Sequence, residues 1–307
     1  MSTYRNFGLF VVLAAVWGSA FMAIKAGLAY FPPVFFAAVR YDLAAVVMLA
    51  YVLYSTDHWK PEGRDEWLLV GVGSVFLIAG YHAFLFVGEQ FTTSAAAAVV
   101  VSLSPVLTSG FSRVLLPSDR LSPLGILGML LGLAGVVVLA NPDPANLLGG
   151  NTVGELLVFG AVLCFAFGSV LTQRLDTDLP HETMEGWSMI GGALLMHVVS
   201  LGLGEPQTAE LTVPAVAALV YLSVLSSAAG FLIYFTLLER LGPIEINMVS
   251  YVAPMFAALS GWLFLGEVID ARTAVGFFVI FVGFCLLKRR ALADEVEKFR
   301  AAVATND

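Results

Sequence analysis

Apolar positions in this 307-residue chain do not alternate with polar ones. They run on for about twenty residues at a time from Phe7 to Leu287, with only short polar breaks between them. A helix rising about 1.5 Å per residue needs about 20 residues to cross a hydrocarbon layer about 30 Å thick. Ten stretches meet that requirement: 7–29, 34–54, 67–88, 93–116, 121–140, 153–174, 184–203, 213–238, 244–266 and 272–287. The breaks carry turn chemistry, as in Pro32-Pro33, Lys60-Pro61-Glu62-Gly63, Asn141-Pro142 and Gly242-Pro243. The first stretch is too long for the apolar region of a secretory leader and is followed at once by another span, so it is expected to remain as a helix. The pattern predicts an all-α integral membrane protein with ten transmembrane helices.

Composition strengthens that picture, because 59% of residues are hydrophobic and 12% charged, against about 25% charged in water-soluble chains. The formal charge of −8 comes from acidic residues scattered through loops and tail, with no acidic block. Nucleic acid is therefore not an expected partner; a small-molecule substrate and the lipid bilayer are. Lys and Arg accumulate in cytoplasmic loops. With the N-terminus inside, twelve of them fall on the cytoplasmic side and only Arg272 outside, which predicts cytoplasmic termini and residence in the cell inner (cytoplasmic) membrane. Cys164 and Cys285 lie within apolar runs and read as small hydrophobes. No cofactor, metal site or catalytic residue is expected. The chain lacks a phosphate-binding G-x-x-x-x-G-K-[ST] loop, and the G-x-S-x-G and H-E-x-x-H patterns that would favour a membrane-embedded enzyme. Oligomeric state leaves no mark in the sequence.

The two halves echo each other. Gly80 precedes Glu89 by nine residues and Gly230 precedes Glu239 by nine; Asp119 is followed at nine and sixteen by Gly128 and Gly135, Glu267 by Gly276 and Gly283. Pro105 and Pro254 fall between these anchors, and Trp17-Gly18-Ser19 matches Phe167-Gly168-Ser169. The boundaries that follow are a first five-helix repeat at 1–141, an external linker at 142–151, a second repeat at 152–290 and a cytoplasmic tail at 291–307. Five spans per repeat is an odd number, so the second repeat enters the membrane inverted. Two inverted five-helix repeats around a central cavity are the architecture of a secondary transporter working by alternating access.

Pro105 and Pro254 lie inside predicted spans and free the carbonyls of Val101 and Ser250, which makes them candidate hinges. Glu89 and Glu239 are candidate gating residues near opposite membrane faces. Polar and aromatic side chains within spans need a partner or a wet cavity; Trp17, Tyr81, His82, Ser102, Tyr234, Asn247 and Tyr251 are the candidate substrate-binding set, with Ser19, Ser169 and Trp187 nearby in pattern. Asn247 and Tyr251 are four residues apart, which puts them on one helical face. Arg40 needs an acidic group or carbonyls on another helix, or the substrate's carboxylate. Lys25 is placed to snorkel outward. His82 could titrate in a proton-coupled cycle, but a packing role is the favoured reading for both His82 and His197.

On Trp17-Gly18-Ser19 with Phe21, Pro105, Pro254 and Gly266-Glu267 with Gly276 and Gly283, the chain resembles the drug/metabolite transporter superfamily. Within it, the chain is similar to the ten-helix bacterial exporters with two EamA-type repeats, from Phe7 to Arg290. The first-half counterpart of Gly266-Glu267 is Ser118-Asp119, a departure from that motif. The resemblance is strongest to the aromatic amino acid exporters, which implies export of Phe, Tyr, Trp and related amphipathic metabolites. A broad drug or metabolite exporter is the alternative.

Overall fold

The computed structural model describes residues 2–115, 123–140, 150–175, 177–241, 246–287 and 289. Ten helical segments lie among them and no strand: α1 Ser2–Gly27, α2 Pro33–Ser55, α3 Gly63–Glu89, α4 Ser94–Leu115, α5 Pro123–Ala140, α6 Gly150–Arg174, α7 His181–Gly202, α8 Val213–Leu241, α9 Val249–Leu265 and α10 Ala271–Leu287. Six are long and apolar enough to cross a membrane, and the apolar parts of α5, α9 and α10 are shorter. The tail 291–307, Ser118-Asp119 and residues 142–149 of the expected linker lie outside the described residues.

The helix ends follow local chemistry. Pro32 and Pro180 stand at the N-caps of α2 and α7, where a missing N–H is harmless. Thr93 and Thr212 cap α4 and α8, accepting from the N–H groups of Ala96 at 3.1 Å and Ala215 at 3.4 Å. Gly266 ends α9 in the left-handed region at φ 67°. The Glu267 N–H then bonds the Gly261 carbonyl at 3.1 Å, six residues back, which satisfies one of the carbonyls left open at the helix end.

Three helices depart from α-geometry: Gly261–Leu265 ends α9 as π-helix, and two longer departures fall at matching places. Gly73–Gly80 in α3 and Tyr221–Ala229 in α8 wind as π-helix, a form concentrated at functional sites. The proline positions behave differently from each other. In α4 the helix breaks at Ser102 and Leu103, with Pro105 in the first turn of the renewed segment Ser104–Leu115. The Val101 carbonyl freed by that proline accepts the Ser104 hydroxyl at 2.6 Å. Pro254 instead sits inside the uninterrupted stretch Val249–Ser260.

Packing is organised between the halves. α2 lies against α7 and α5 against α10, while α1 on α9 is mirrored by α6 on α4, α3 on α6 by α8 on α1, and α2 on α8 by α7 on α3. This is the contact pattern of a two-fold related pair of five-helix units. Glycines make the α5–α10 crossing close: a Cβ on Gly135 would stand 2.8 Å from the Gly276 carbonyl oxygen, and one on Gly283 2.5 Å from that of Gly128. Close backbone approach through small residues is how helices associate where lipid gives no hydrophobic drive.

Alternate loops share a face, as successive membrane crossings require. On one face Lys25 Nζ donates to the carbonyls of Glu89 and Thr92 at 2.6 and 2.7 Å, the Glu210 N–H bonds the Tyr30 carbonyl at 3.2 Å, and Glu267 meets Ser94. On the opposite face Thr183 donates to the His58 carbonyl and Trp187 to the Trp59 carbonyl, both at 2.9 Å. Exposed Val46, Leu53, Val198, Trp262, Phe264 and Phe278 make the lateral surface apolar, as a lipid-facing wall must be.

Candidate functional site

Arg40 marks the chemistry of the interior. It lies seven residues into α2, about 10 Å along the helix from the Lys25 face at 1.5 Å per residue. On the same scale His82 is about 10 Å from that face, Tyr221 about 12 Å and Trp17 about 15 Å, close to mid-bilayer depth. These side chains meet. Arg40 Nε donates to Ser227 Oγ at 3.1 Å and its Nη2 reaches Ser226 Oγ at 3.4 Å. The guanidinium also lies over the Tyr41 and Phe86 rings, 5.1 and 5.7 Å from their centroids.

The cluster extends from there through hydrogen bonds and ring edges. His82 Nδ1 is 2.9 Å from the Ile78 carbonyl and Nε2 is 2.7 Å from the Tyr41 hydroxyl. A carbonyl can only accept, so Nδ1 carries the hydrogen, and in the neutral ring Nε2 accepts from Tyr41. Tyr81 packs edge-on to His82 and tilted on Phe165. Trp17 Nε1 donates to the Ser226 carbonyl at 3.1 Å, and its ring lies 5.4 Å from Tyr234 and 5.8 Å from Phe231. Ser19 Oγ and the Tyr221 hydroxyl are 2.6 Å apart. The π-helical stretch of α8 supplies Tyr221, Ser226 and Ser227, and that of α3 ends against Tyr81.

Trp17, Tyr81, His82 and Tyr234 thus lie in or beside this cluster, and three other candidates lie away from it. Tyr251 is buried with its ring 4.4 Å from Phe284 and 5.7 Å from Phe281 of α10, and its hydroxyl has no partner. Asn247 is exposed, and the turn at Met248 separates it from α9, so it does not share an unbroken helical face with Tyr251. Ser102 is fully buried but donates to the Val99 carbonyl at 2.6 Å, inside its own helix.

The charged candidates also divide. Glu89 is fully buried and neither carboxylate oxygen has a partner, whereas Glu239 is exposed; repeat-equivalent positions occupy opposite environments. Lys25 is tied to carbonyls at the loop face. His197 pairs with Asp42 at 2.8 Å on the flank of α2 and α7, and Trp187 stacks edge-on with Trp67 near the His58 face. Glu185 of α7, buried with Oε1 unpartnered, is an interior acid that sequence reasoning passed over, because it lies at the end of its predicted span. Its one sequence signal is a carboxylate just after Met184, at the start of an apolar run.

A single side-chain cluster, Arg40, Tyr41, His82 and Phe86, occupies the space expected to hold the central cavity at this depth, each of the four nearly or fully buried. A groove of about 360 Å³ lies instead between α4, α9 and α10, lined by Val99, Pro254, Trp262 and Phe277. A second, of about 370 Å³, lies by the loops at Tyr30 and Glu210.

The EamA-like transporter family matches this chain twice, at residues 7–141 and again at 152–289. The chain belongs to the EamA-like transporter family. It is 30% identical over 282 residues to an uncharacterized inner membrane transporter, YedA, of Escherichia coli K12, covering 88% of this chain and 90% of that protein. An uncharacterized transporter of Archaeoglobus fulgidus is 25% identical, covering 91% and 95% of the two chains. A solved structure titled "Crystal structure of protein" matches with a TM-score of 0.66 at 23% identity, covering 96% of this chain and 99% of that one; that likeness shows the fold. This EamA-like protein is therefore a multi-pass membrane transporter with a small-molecule substrate.

Proposed function

We propose that this EamA-like transporter exports aromatic amino acids and related amphipathic metabolites across the cytoplasmic membrane by alternating access, with both termini in the cytoplasm. The observation that carries the reading is a buried guanidinium ringed by aromatic groups, Arg40 among Tyr41, Phe86 and His82 with Trp17 and Tyr81 beside them, at the junction of α2 with α8. Such a site can stack a flat side chain and bind polar ends. An added charge on the side chain would have to be desolvated without a dedicated partner, at a cost of several kcal/mol. The links at the Lys25 face and those at the His58 face serve as alternating gates, with Glu89 at the first and Glu239 at the second, and the break beside Pro105 and the Pro254 segment allow the exchange. The apolar groove beside Pro254 favours a second reading, a broader exporter of amphipathic metabolites.

The test is flux in liposomes containing only this protein. Labelled Phe or Trp is expected to move down its gradient, and unlabelled aromatic amino acids are expected to compete better than Glu or Lys. Equal competition by Glu or Lys would defeat the substrate assignment. Orientation is tested separately: cysteines introduced at 141–151 are expected to label from outside in sealed cells, and the reverse pattern would overturn the assigned orientation.

A further inference from the structure

Arg40 is 5% exposed, and the groups it touches are all neutral: two serine hydroxyls and two aromatic faces. Among the described residues the ion pairs are His58–Glu66 and His197–Asp42, so no carboxylate pairs with it. The interior acids Glu89 and Glu185 do not hydrogen-bond it, and three of their four oxygens have no partner at all. A charge withdrawn from water needs a counter-charge with good geometry; hydroxyls and ring faces offset only part of that cost. The planar guanidinium fork matches a carboxylate, which it can hold by two parallel hydrogen bonds.

We infer that Arg40 binds the carboxylate of the transported solute, which displaces the hydroxyls of Ser226 and Ser227 from the fork. This rests on the solute being an amino acid or a similar carboxylate, as proposed above. The two serines lie on the π-helical stretch of α8 and Arg40 on α2 of the other half. Exchanging serine for solute therefore loosens a contact between halves at the moment of binding. The repeat does not duplicate this device. Ser188 stands eight residues past its N-cap Pro180, as Arg40 does past Pro32, and its hydroxyl donates to the Val70 carbonyl at 3.3 Å. Among the described residues, α7 offers no second site of this kind.

The test is the shift in thermal unfolding midpoint of the purified protein with four probes: 3-phenylpropionate, phenethylamine, leucine and isoamylamine. Wild type is expected to bind 3-phenylpropionate at least tenfold more tightly than phenethylamine, and leucine more tightly than isoamylamine. In Arg40→Gln both differences are expected to vanish, and in Arg40→Lys to return in part. Amines that bind wild type as well as the carboxylates, no binding by either carboxylate, or discrimination that survives in Arg40→Gln would each overturn the inference. If Arg40→Gln does not fold, the wild-type comparison and Ser227→Ala decide. Ser227→Ala is expected to fold and keep the carboxylate preference, and loss of that preference in a folded Ser227→Ala protein would overturn the inference. Leucine binding as tightly as 3-phenylpropionate would sink the aromatic reading alone and leave the role of Arg40 standing.

Discussion

Glu267 places its carboxylate 3.1 Å from the backbone nitrogen of Ser94, at the start of a helix in the other half of the molecule. The left-handed turn at Gly266 aims it there, and Gly261 has no side chain to obstruct it. A carboxylate on the first N–H groups of a helix satisfies an orphan donor and suits the positive end of the helix dipole. Glu267→Ala is expected to cost about 1 kcal/mol of stability and to raise the labelling rate of a cysteine placed at Thr92. An unchanged labelling rate would show that this link does not hold the face closed.

Glycine at the α5–α10 crossing is a steric requirement. Gly135→Ala and Gly283→Ala each press a methyl group onto facing backbone, and backbone cannot swing aside as a side chain does. Each is expected to destabilise by about 1–3 kcal/mol, read as a lower unfolding midpoint in lipid nanodiscs. Gly71→Ala is the control, because its Cβ would meet open space. A control that falls as far as the other two would remove the explanation.

Tyr251 offers a cleaner separation of packing from transport. Its hydroxyl is buried without a partner while its ring packs on Phe281 and Phe284. Tyr251→Phe is expected to leave flux unchanged and stability unchanged or higher, since removing an unsatisfied buried group relieves its desolvation cost. Loss of Phe flux in Tyr251→Phe would return this residue to the binding site.

Asp270 caps α10 through Thr273, accepting its N–H at 2.8 Å and its hydroxyl at 2.6 Å. Those two bonds hold the Asp270 carboxyl below its ordinary value of 3.8. A folded-state value lower than the unfolded one stabilises above the unfolded value, and the contribution disappears as pH falls through the folded one. Asp270→Ala is expected to cost about 1 kcal/mol at neutral pH. The gap from wild type narrows in strong acid, as unfolding midpoints between neutral pH and pH 3 would show; a gap that widens there would contradict the cap.

The spans were legible because membrane crossing demands a length of apolar sequence that no loop supplies. The repeat was legible because glycine, proline and acidic anchors recur at matched spacing, and among them Gly135 and Gly283 lie where α5 and α10 cross closely. The site was legible only in part. Trp17, Tyr81 and His82, which lie in or beside the cluster around Arg40, stand out in the sequence as polar or aromatic groups inside spans. Asn247 and Tyr251 do not share an unbroken helical face, because a turn at Met248 that no proline or glycine announces interrupts the spacing. The clustering of Arg40 with Ser226 and Ser227 joins residues nearly 190 positions apart, and the widened π turns that present those serines leave no sequence period to detect.

The crossed packing has a consequence for synthesis. The main neighbours of α1, α2 and α5 are α9, α7 and α10, all translated later, so the opening five helices enter the bilayer before most of the surfaces they will finally touch exist. Lipid or insertion machinery must cover the Gly128, Gly132 and Gly135 stripe until α10 arrives, and the α5–α10 contact can form only after α10 has left the ribosome.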